Sequence, residues 1–87
     1  MNNKVLIKLI VPDLDETFDI FIPVNELIWK VKKLIIKTVF DIINLETSES
    51  NTYILINKKN TRIYQNNEII IYTDIKNGSE KILLSQK

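Results

Sequence analysis

The chain has 87 residues, of which 45% are apolar and 26% charged, and its formal net charge is +1. Such a chain is a single folded domain, too apolar for a disordered tail and too short for a second core. A net charge this close to zero gives no strong field for nucleic acid or for an anionic membrane surface. The lack of cysteine and histidine excludes disulfides, thiolate nucleophiles and the commonest general base and metal ligand. We therefore expect neither enzymatic activity nor a bound metal or cofactor.

The N-terminal residues contain neither a signal-peptide pattern nor an uncharged run as long as a membrane span. We therefore expect a cytoplasmic protein that does not insert into a membrane. The domain is predicted to span residues 1–87, with a frayed tail at about 85–87.

A strand hairpin is predicted before Pro23. Every odd position from Lys4 to Val11 is apolar, which is the period-two pattern of a half-buried strand. Leu6 and Ile10 make its second face partly apolar as well, which predicts a central strand. The same alternation returns at residues 18–23 and predicts a second strand. The residues predicted to face the core are Val5, Ile7, Leu9, Phe18, Ile20 and Ile22.

The segment from Asn25 to Asn44 is the only stretch long enough and suitably spaced for a full helix. Asn25 is the predicted N-cap, with Glu26 in the first turn and Pro23 ending the extended run before it. Apolar residues three and four positions apart form one face, which should pack against the sheet. This predicted core stripe consists of Leu27, Val31, Leu34, Ile35, Thr38 and Ile42.

A second apolar stripe lies about half a turn away on the same predicted helix. Because a helix on a single sheet needs only one apolar face, the second predicts a surface for a partner or for self-association. The lysines beside it could form a rim that steers an acidic partner, or they could be an ordinary solvated face. They are Lys30, Lys33 and Lys37, which Lys58 and Lys59 could join. In the other interpretation, residues 46–51 or the chain after Tyr64 fold back over the stripe. The predicted partner-binding residues are Trp29, Ile36, Phe40, Ile43, Lys33 and Lys37.

The C-terminal half is predicted to contain short strands and turns. Residues 68–72 fit a strand or a one-turn helix equally well, and both interpretations stay open. The other predicted elements are a strand at 52–56, a turn at 57–60, a short returning strand at 61–64, a positive-φ turn at Asn77-Gly78 and a last strand at 80–84.

This order of elements predicts an α+β fold, in which one main helix packs across a mixed sheet of four or five strands. The first and last strands should pair in parallel at the centre of the sheet. The order, with a closing turn at residues 75–80, resembles the β-grasp fold of ubiquitin. More narrowly, three segments are similar to the EsaB/YukD family, small ubiquitin-like cytosolic proteins encoded with type VII (WXG100) secretion systems in Gram-positive bacteria. These segments are Phe21-Ile22-Pro23-Val24, Asn25-Glu26-Leu27-Ile28 and Asn67 to Gly78, and the resemblance covers nearly the whole chain.

The resemblance implies a non-catalytic protein-interaction module that is an accessory or regulatory component of such a secretion system. Its partner would be a component of the secretion machinery. The sequence ends at Lys87 without the Gly-Gly pair of conjugated relatives, so we expect no covalent conjugation. The alternative is a small homo-oligomeric structural domain whose helices pair through the second stripe, without a secretion role. A third interpretation is a ubiquitin-type modifier with a processed tail.

Lys81 departs from the family pattern, which has an inward apolar residue there. The register of the last strand therefore stays open: either Leu83 alone faces the core, or Ile82 and Leu84 do.

Overall fold

The structure is a computed structural model that describes residues 3–42 and 53–85, with the backbone alone at 41 and 42. Its strands are β1 (Lys4–Val11), β2 (Glu16–Pro23), β3 (Tyr53–Asn57) and β4 (Glu80–Ser85), and its helix is α1 (Ile28–Ile42). Two short 3₁₀ helices lie at Pro12–Leu14 and Ile70–Tyr72.

The four strands form one mixed sheet in the order β2-β1-β4-β3. β2 and β3 run antiparallel to their neighbours, whereas β1 and β4 are parallel. The predicted α+β architecture and the central parallel pair are therefore confirmed. The central position of β1 agrees with the apolar character of both of its faces.

The core lies between the sheet and α1. Burial alternates along the strands except at the start of β2 and the end of β4, so that one set of side chains is buried under the helix and the other set points away from it. The predicted core positions of β1 and β2 all belong to or pack against this cluster. The largest buried contributions from the strands are Ile7, Leu9, Val11, Ile22, Leu55 and Leu83.

The register of β4 is resolved by the burial of Lys81. Lys81 is only 2% exposed and lies on the helix side of the sheet together with Leu83. Ile82 and Leu84 point to the opposite side. Leu83 is therefore the apolar residue of β4 that completes the core, as one of the two alternatives states.

Three predicted features of the C-terminal half can be compared with the structure. The returning strand predicted at 61–64 is a single antiparallel bridge between Ile56 and Ile63. Thr61 before it has a positive φ of 60°, which turns the chain before a ladder can extend. Of the strand and the one-turn helix that fit residues 68–72, the structure contains the helix: a 3₁₀ helix spans Ile70–Tyr72, and its Ile70 is fully buried. Gly78, at φ 84°, forms the predicted positive-φ turn.

The helix begins at Ile28, so the prediction of an Asn25 N-cap is wrong. Leu27 is held in an isolated bridge with Ile69, and its carbonyl accepts the first helical hydrogen bonds. The Ile28 N–H donates to the Glu68 carbonyl at 2.8 Å, and the Trp29 N–H donates to the Asn66 carbonyl at 3.3 Å. Backbone carbonyls from a distant segment thus satisfy donors that a side-chain cap would otherwise serve. The predicted end of the helix at Asn44 and the predicted loop at 46–51 lie outside the described residues.

Candidate functional site

The two apolar stripes predicted for α1 meet in one core. Val31 and Ile35 of the first stripe and Ile36 and Phe40 of the second are all buried. The expectation that Ile36 and Phe40 lie on an exposed surface is therefore wrong. The buried arc is centred on Ile28, Lys32 and Val39, between the two stripes, and spans about half of the helix circumference. The Phe40 ring also meets the Tyr53 ring edge to face, with centroids 6.2 Å apart.

The outer members of the first stripe are not in this core. Leu34 and Thr38 are exposed, which corrects their predicted core placement, and Leu27 is half-buried. They lie on the solvent side because the buried arc is shifted toward the second stripe. The Ile42 side chain and all of Ile43 lie outside the described residues.

Three of the predicted partner-binding residues on α1 are exposed. Trp29 is 43% exposed, and Lys33 and Lys37 follow it at intervals of four residues, on successive turns of one face. We call Trp29, Lys33 and Lys37 the helix surface. The Lys30 ammonium lies 5.5 Å from the centre of the Trp29 ring, a cation–π contact, and 3.8 Å from the Glu26 carboxylate.

Lys32 lies on the core side of the helix. Its ammonium donates to the Tyr53 carbonyl at 3.0 Å, and burial lowers the pKa of this amine. Its long aliphatic stem allows a lysine to fill apolar space while the charged end finds an acceptor.

The helix-free face of the sheet carries an apolar surface that the sequence analysis did not single out. Ile10 pairs with Ile82, Ile82 with Ile56, and Ile54 with Leu84, so that these side chains share one face. The bridge between Ile56 and Ile63 adds one more, and Ile63 is 47% exposed. The others are partly exposed. We call this group the isoleucine patch; it consists of Ile10, Ile54, Ile56, Ile63, Ile82 and Leu84.

A row of alternating charges crosses the same face beside the patch. Lys8 of β1 pairs with Asp19 on one side and with Glu80 on the other. The Glu80 carboxylate lies 3.5 Å from the Lys58 ammonium, which extends the row beyond β4. Opposite charges on neighbouring strands stabilise the sheet modestly and leave a polar border along the patch.

A polar cluster ties the segment after β3 to the segment before β4. The Tyr64 hydroxyl donates to Asp74 Oδ1 at 2.5 Å, and the Asn57 side-chain amide donates to Asp74 Oδ2 at 3.0 Å. The hydrogen bond from Tyr64 lowers the pKa of Asp74, whereas burial, with Asp74 beside it, raises the pKa of the Tyr64 phenol. Arg62 lies against the Tyr64 ring and pairs with the Glu68 carboxylate. The cluster fixes the return path of the chain toward β4.

Within the described residues, no helix is long and apolar enough to cross a membrane, and no cluster of three acidic side chains forms that could hold a metal ion. The exposed side chains described above form a candidate site of two surfaces: the isoleucine patch and the helix surface. A signal for the patch exists in the sequence, because residues 54, 56, 82 and 84 are apolar where a one-sided strand would place polar residues.

Neither a family model nor a curated protein matches this chain. Solved structures do match. The ubiquitin-like domain of Plasmodium falciparum Dsk2 is 15% identical and superposes with a TM-score of 0.73, covering 94% of this chain and 97% of that chain. The ubiquitin of Caldiarchaeum subterraneum is 15% identical, with a TM-score of 0.67 and coverage of 97% and 95%. A chain of the MycP5-free ESX-5 inner membrane complex is 9% identical, with a TM-score of 0.73 over 94% of this chain but only 21% of that chain.

At such low identity these likenesses show the fold alone. They agree with the order of strands, the parallel central pair and the single helix across the sheet. The chain has the ubiquitin-like β-grasp fold.

Proposed function

We propose that this domain is a non-catalytic protein-interaction module that docks a partner protein on the isoleucine patch. The observation that carries the proposal is the alignment of six aliphatic side chains on the helix-free face of the sheet, with Ile63 47% exposed at its margin. Contiguous exposed apolar surface on a small domain usually marks an interaction site. Flat apolar surface with a polar border is also the usual anatomy of a protein interface.

The proposed partner presents apolar side chains to the patch and charged side chains to the row beside it. The row alternates in sign from Asp19 through Lys8 to Glu80, so it favours one orientation of a charged partner over others. Such a border contributes more to orientation and association rate than to affinity. The apolar patch would supply most of the binding free energy.

We also propose the helix surface as a second contact region. Trp29 offers a partly exposed aromatic ring, and Lys33 and Lys37 add positive charge beside it. The helix surface and the isoleucine patch lie on opposite sides of the sheet, so one flat partner surface would not cover both. The two regions are therefore tested with separate variants.

The proposed biological setting is type VII secretion in a Gram-positive bacterium, as a cytoplasmic accessory or regulatory component of the EsaB/YukD type. The support is the resemblance of residues 21–28 and 67–78 to that family. The likeness to a chain whose name places it in an ESX-5 inner membrane complex supports the same setting. The partner would then be a component of the secretion machinery, held without covalent conjugation.

The test of the patch is a calorimetric titration of the purified domain with the soluble part of a membrane component of the type VII secretion system. We expect Ile63→Ser to weaken binding at least tenfold, because Ile63 lies in the patch. Ile71→Ser is the matched control, since Ile71 is 56% exposed but lies outside the patch; it should change binding less than twofold. Equal losses in the two variants would refute the patch. Trp29→Ser tests the helix surface in the same titration.

The test of the setting is genetic. We expect WXG100 and FtsK-type ATPase genes beside the gene for this chain, and loss of WXG100 secretion when the gene is deleted. Undiminished secretion would contradict the proposal. Light scattering over a dilution series tests the homo-oligomeric alternative, in which helices pair through the second stripe: a dimer that Trp29→Ser dissociates would support it. A dimer that Ile63→Ser dissociates would instead make a second copy of this chain the occupant of the patch.

A further inference from the structure

A polar cleft of about 690 Å³ opens where the turn after β3 faces the segment that leads into β4. This volume is in the range of ordinary ligand sites in proteins. Four lysines and two acidic residues are among the residues that line it. They are Lys58, Lys59, Lys76, Lys81, Asp74 and Glu80.

Both acidic residues of the cleft are already neutralised by neighbours. The Glu80 carboxylate lies 3.5 Å from the Lys58 ammonium. Asp74 accepts hydrogen bonds from Tyr64 and Asn57, and the Arg62 guanidinium lies 3.6 Å from its Oδ1 atom. The negative charge of the cleft is therefore committed to interactions within the domain.

The other three lysines of the cleft give it a net positive charge. No ion pair among the described residues includes Lys59, Lys76 or Lys81. Lys81 is buried, and its ammonium lies 5.3 Å from the centre of the Tyr64 ring. Burial lowers the pKa of this amine, whereas the negative charge of nearby Asp74 favours its charged form.

We propose that this cleft binds an acidic peptide segment of a partner protein, whose carboxylates pair with Lys59 and Lys76, while the buried Lys81 adds positive charge behind them. Separate ammonium groups suit carboxylates that are spread along a chain. A phosphate group would be better served by an arginine fork or by free backbone N–H groups. No arginine is among the described residues that line the cleft, and the Gly78 N–H already donates to the Leu6 carbonyl at 2.9 Å.

The inference rests on the proposed function and defines the chemistry of the partner more closely. Glu80 of the cleft wall lies two residues before Ile82 of the isoleucine patch on β4, so the side chains of both are on the helix-free face of the sheet. A partner segment in which apolar residues are followed by acidic ones would therefore cover the patch and the cleft together.

The experiment is a titration of the ¹⁵N-labelled domain with an acetylated, amidated hexaglutamate peptide in 50 mM salt. Binding is measured from the changes in amide chemical shifts. We expect shifts at residues 57–60 and 74–81, and an affinity that falls several-fold at 300 mM salt. Lys59→Gln and Lys76→Gln should each weaken binding at least threefold. Lys30→Gln, which removes the same charge from α1, should change it less than twofold. Lys81→Met should fold, because an apolar chain of similar length suits a buried position, and should also bind more weakly.

The inference is overturned by absence of shifts in the cleft, by an equal loss in Lys30→Gln, or by inorganic phosphate binding at these lysines while the peptide does not bind. The partner titration tests the proposed function separately. Partner binding that Ile63→Ser abolishes and that Lys59→Gln and Lys76→Gln leave intact would refute the cleft while the docking role stands.

Discussion

Trp29 and Phe40 show that the burial of a helical side chain depends on its position along the helix as well as on its direction around the helix axis. The two residues are about three turns apart and point in nearly the same direction, yet Trp29 is 43% exposed and Phe40 only 4%. Phe40 lies against Tyr53 at the start of β3. A helical wheel gives the direction of a side chain but not what lies beneath it at that height. For this reason the sequence could identify both residues as one stripe but could not separate core from surface.

Truncation of these two aromatic residues should therefore have unequal effects. We expect Phe40→Ala to lower the free energy of unfolding by about 3–5 kcal/mol, the usual cost for a buried aromatic residue. Trp29→Ala should lower it by about 1–2 kcal/mol, because much of the ring is already in water. Urea denaturation followed by circular dichroism measures both, since Trp29 is the single tryptophan and its fluorescence is lost in the variant. Equal losses would contradict the division between core and surface.

Asp74 should contribute stability that depends on pH. Hydrogen bonds from Tyr64 and Asn57 favour its charged form, so its pKa is lower in the folded chain than in the unfolded chain. The contribution is therefore fully present above the unfolded pKa and is lost as the pH falls through the folded one. We expect Asp74→Asn to cost about 1–2 kcal/mol at pH 7, a modest value because the carboxylate is partly solvated.

The measurement is urea denaturation of both proteins at pH 7 and pH 2.5. The difference between wild type and Asp74→Asn should shrink at the lower pH. Asp13→Asn is the control, since Asp13 is exposed on the β1–β2 turn and the substitution should change stability by less than about 0.5 kcal/mol. A difference for Asp74→Asn that is the same at both pH values would show that the carboxylate charge is not involved.

At the scale of elements, the start of α1 depends on a segment forty residues further along the chain. The Glu68 carbonyl caps the Ile28 N–H, and the Glu68 side chain holds its own turn by accepting from the Gln65 N–H at 2.9 Å and pairing with Arg62. We expect Glu68→Ala to loosen this turn and to lower the hydrogen-exchange protection of the Ile28 amide about tenfold, which corresponds to about 1.4 kcal/mol.

Glu26→Ala provides the matched control for this prediction. Glu26 carries the same charge at the entrance to α1, but its side chain makes a largely exposed pair with Lys30 at 3.8 Å. Its loss should change the Ile28 protection less than twofold. If both variants lower that protection equally, local charge rather than the carbonyl cap stabilises the start of the helix.

The elements that the sequence predicted well are those whose signal is local. Strand β1, and strand β2 from Thr17 onward, alternate in burial, and their pattern alone located them. The helix start was missed because its cap is a backbone carbonyl, which leaves no trace in residue type near Asn25. The strand predicted at 61–64 forms only one bridge, because the positive φ at Thr61 limits pairing there. A threonine gives no sequence signal of such a backbone angle.

At the scale of the whole molecule, the sheet has one face for folding and one face for contact. The helix covers the side that carries Ile7, Leu9 and Leu83, and the isoleucine patch occupies the other side. For β3 and β4, the residue pattern alone did not separate these two roles, because apolar residues of both faces belong to the same continuous runs. Only the register of the strands shows which of them share a surface. The layer architecture was predictable from element order, whereas the location of the candidate site depended on that register.

Exposure of the patch should also govern how the whole molecule behaves at high concentration. A formal net charge of +1 gives little electrostatic repulsion between copies, so exposed apolar surface should dominate their weak attraction. We expect Ile63→Lys to raise the ammonium sulfate concentration at the precipitation midpoint more than Ile71→Lys does. The two variants add the same charge at residues that are 47% and 56% exposed, but only Ile63 lies in the patch. Equal shifts would mean that net charge alone controls solubility and that the patch is not a contact surface between molecules. A larger shift for Ile63→Lys would locate the attraction on the face that the proposed partner is expected to cover.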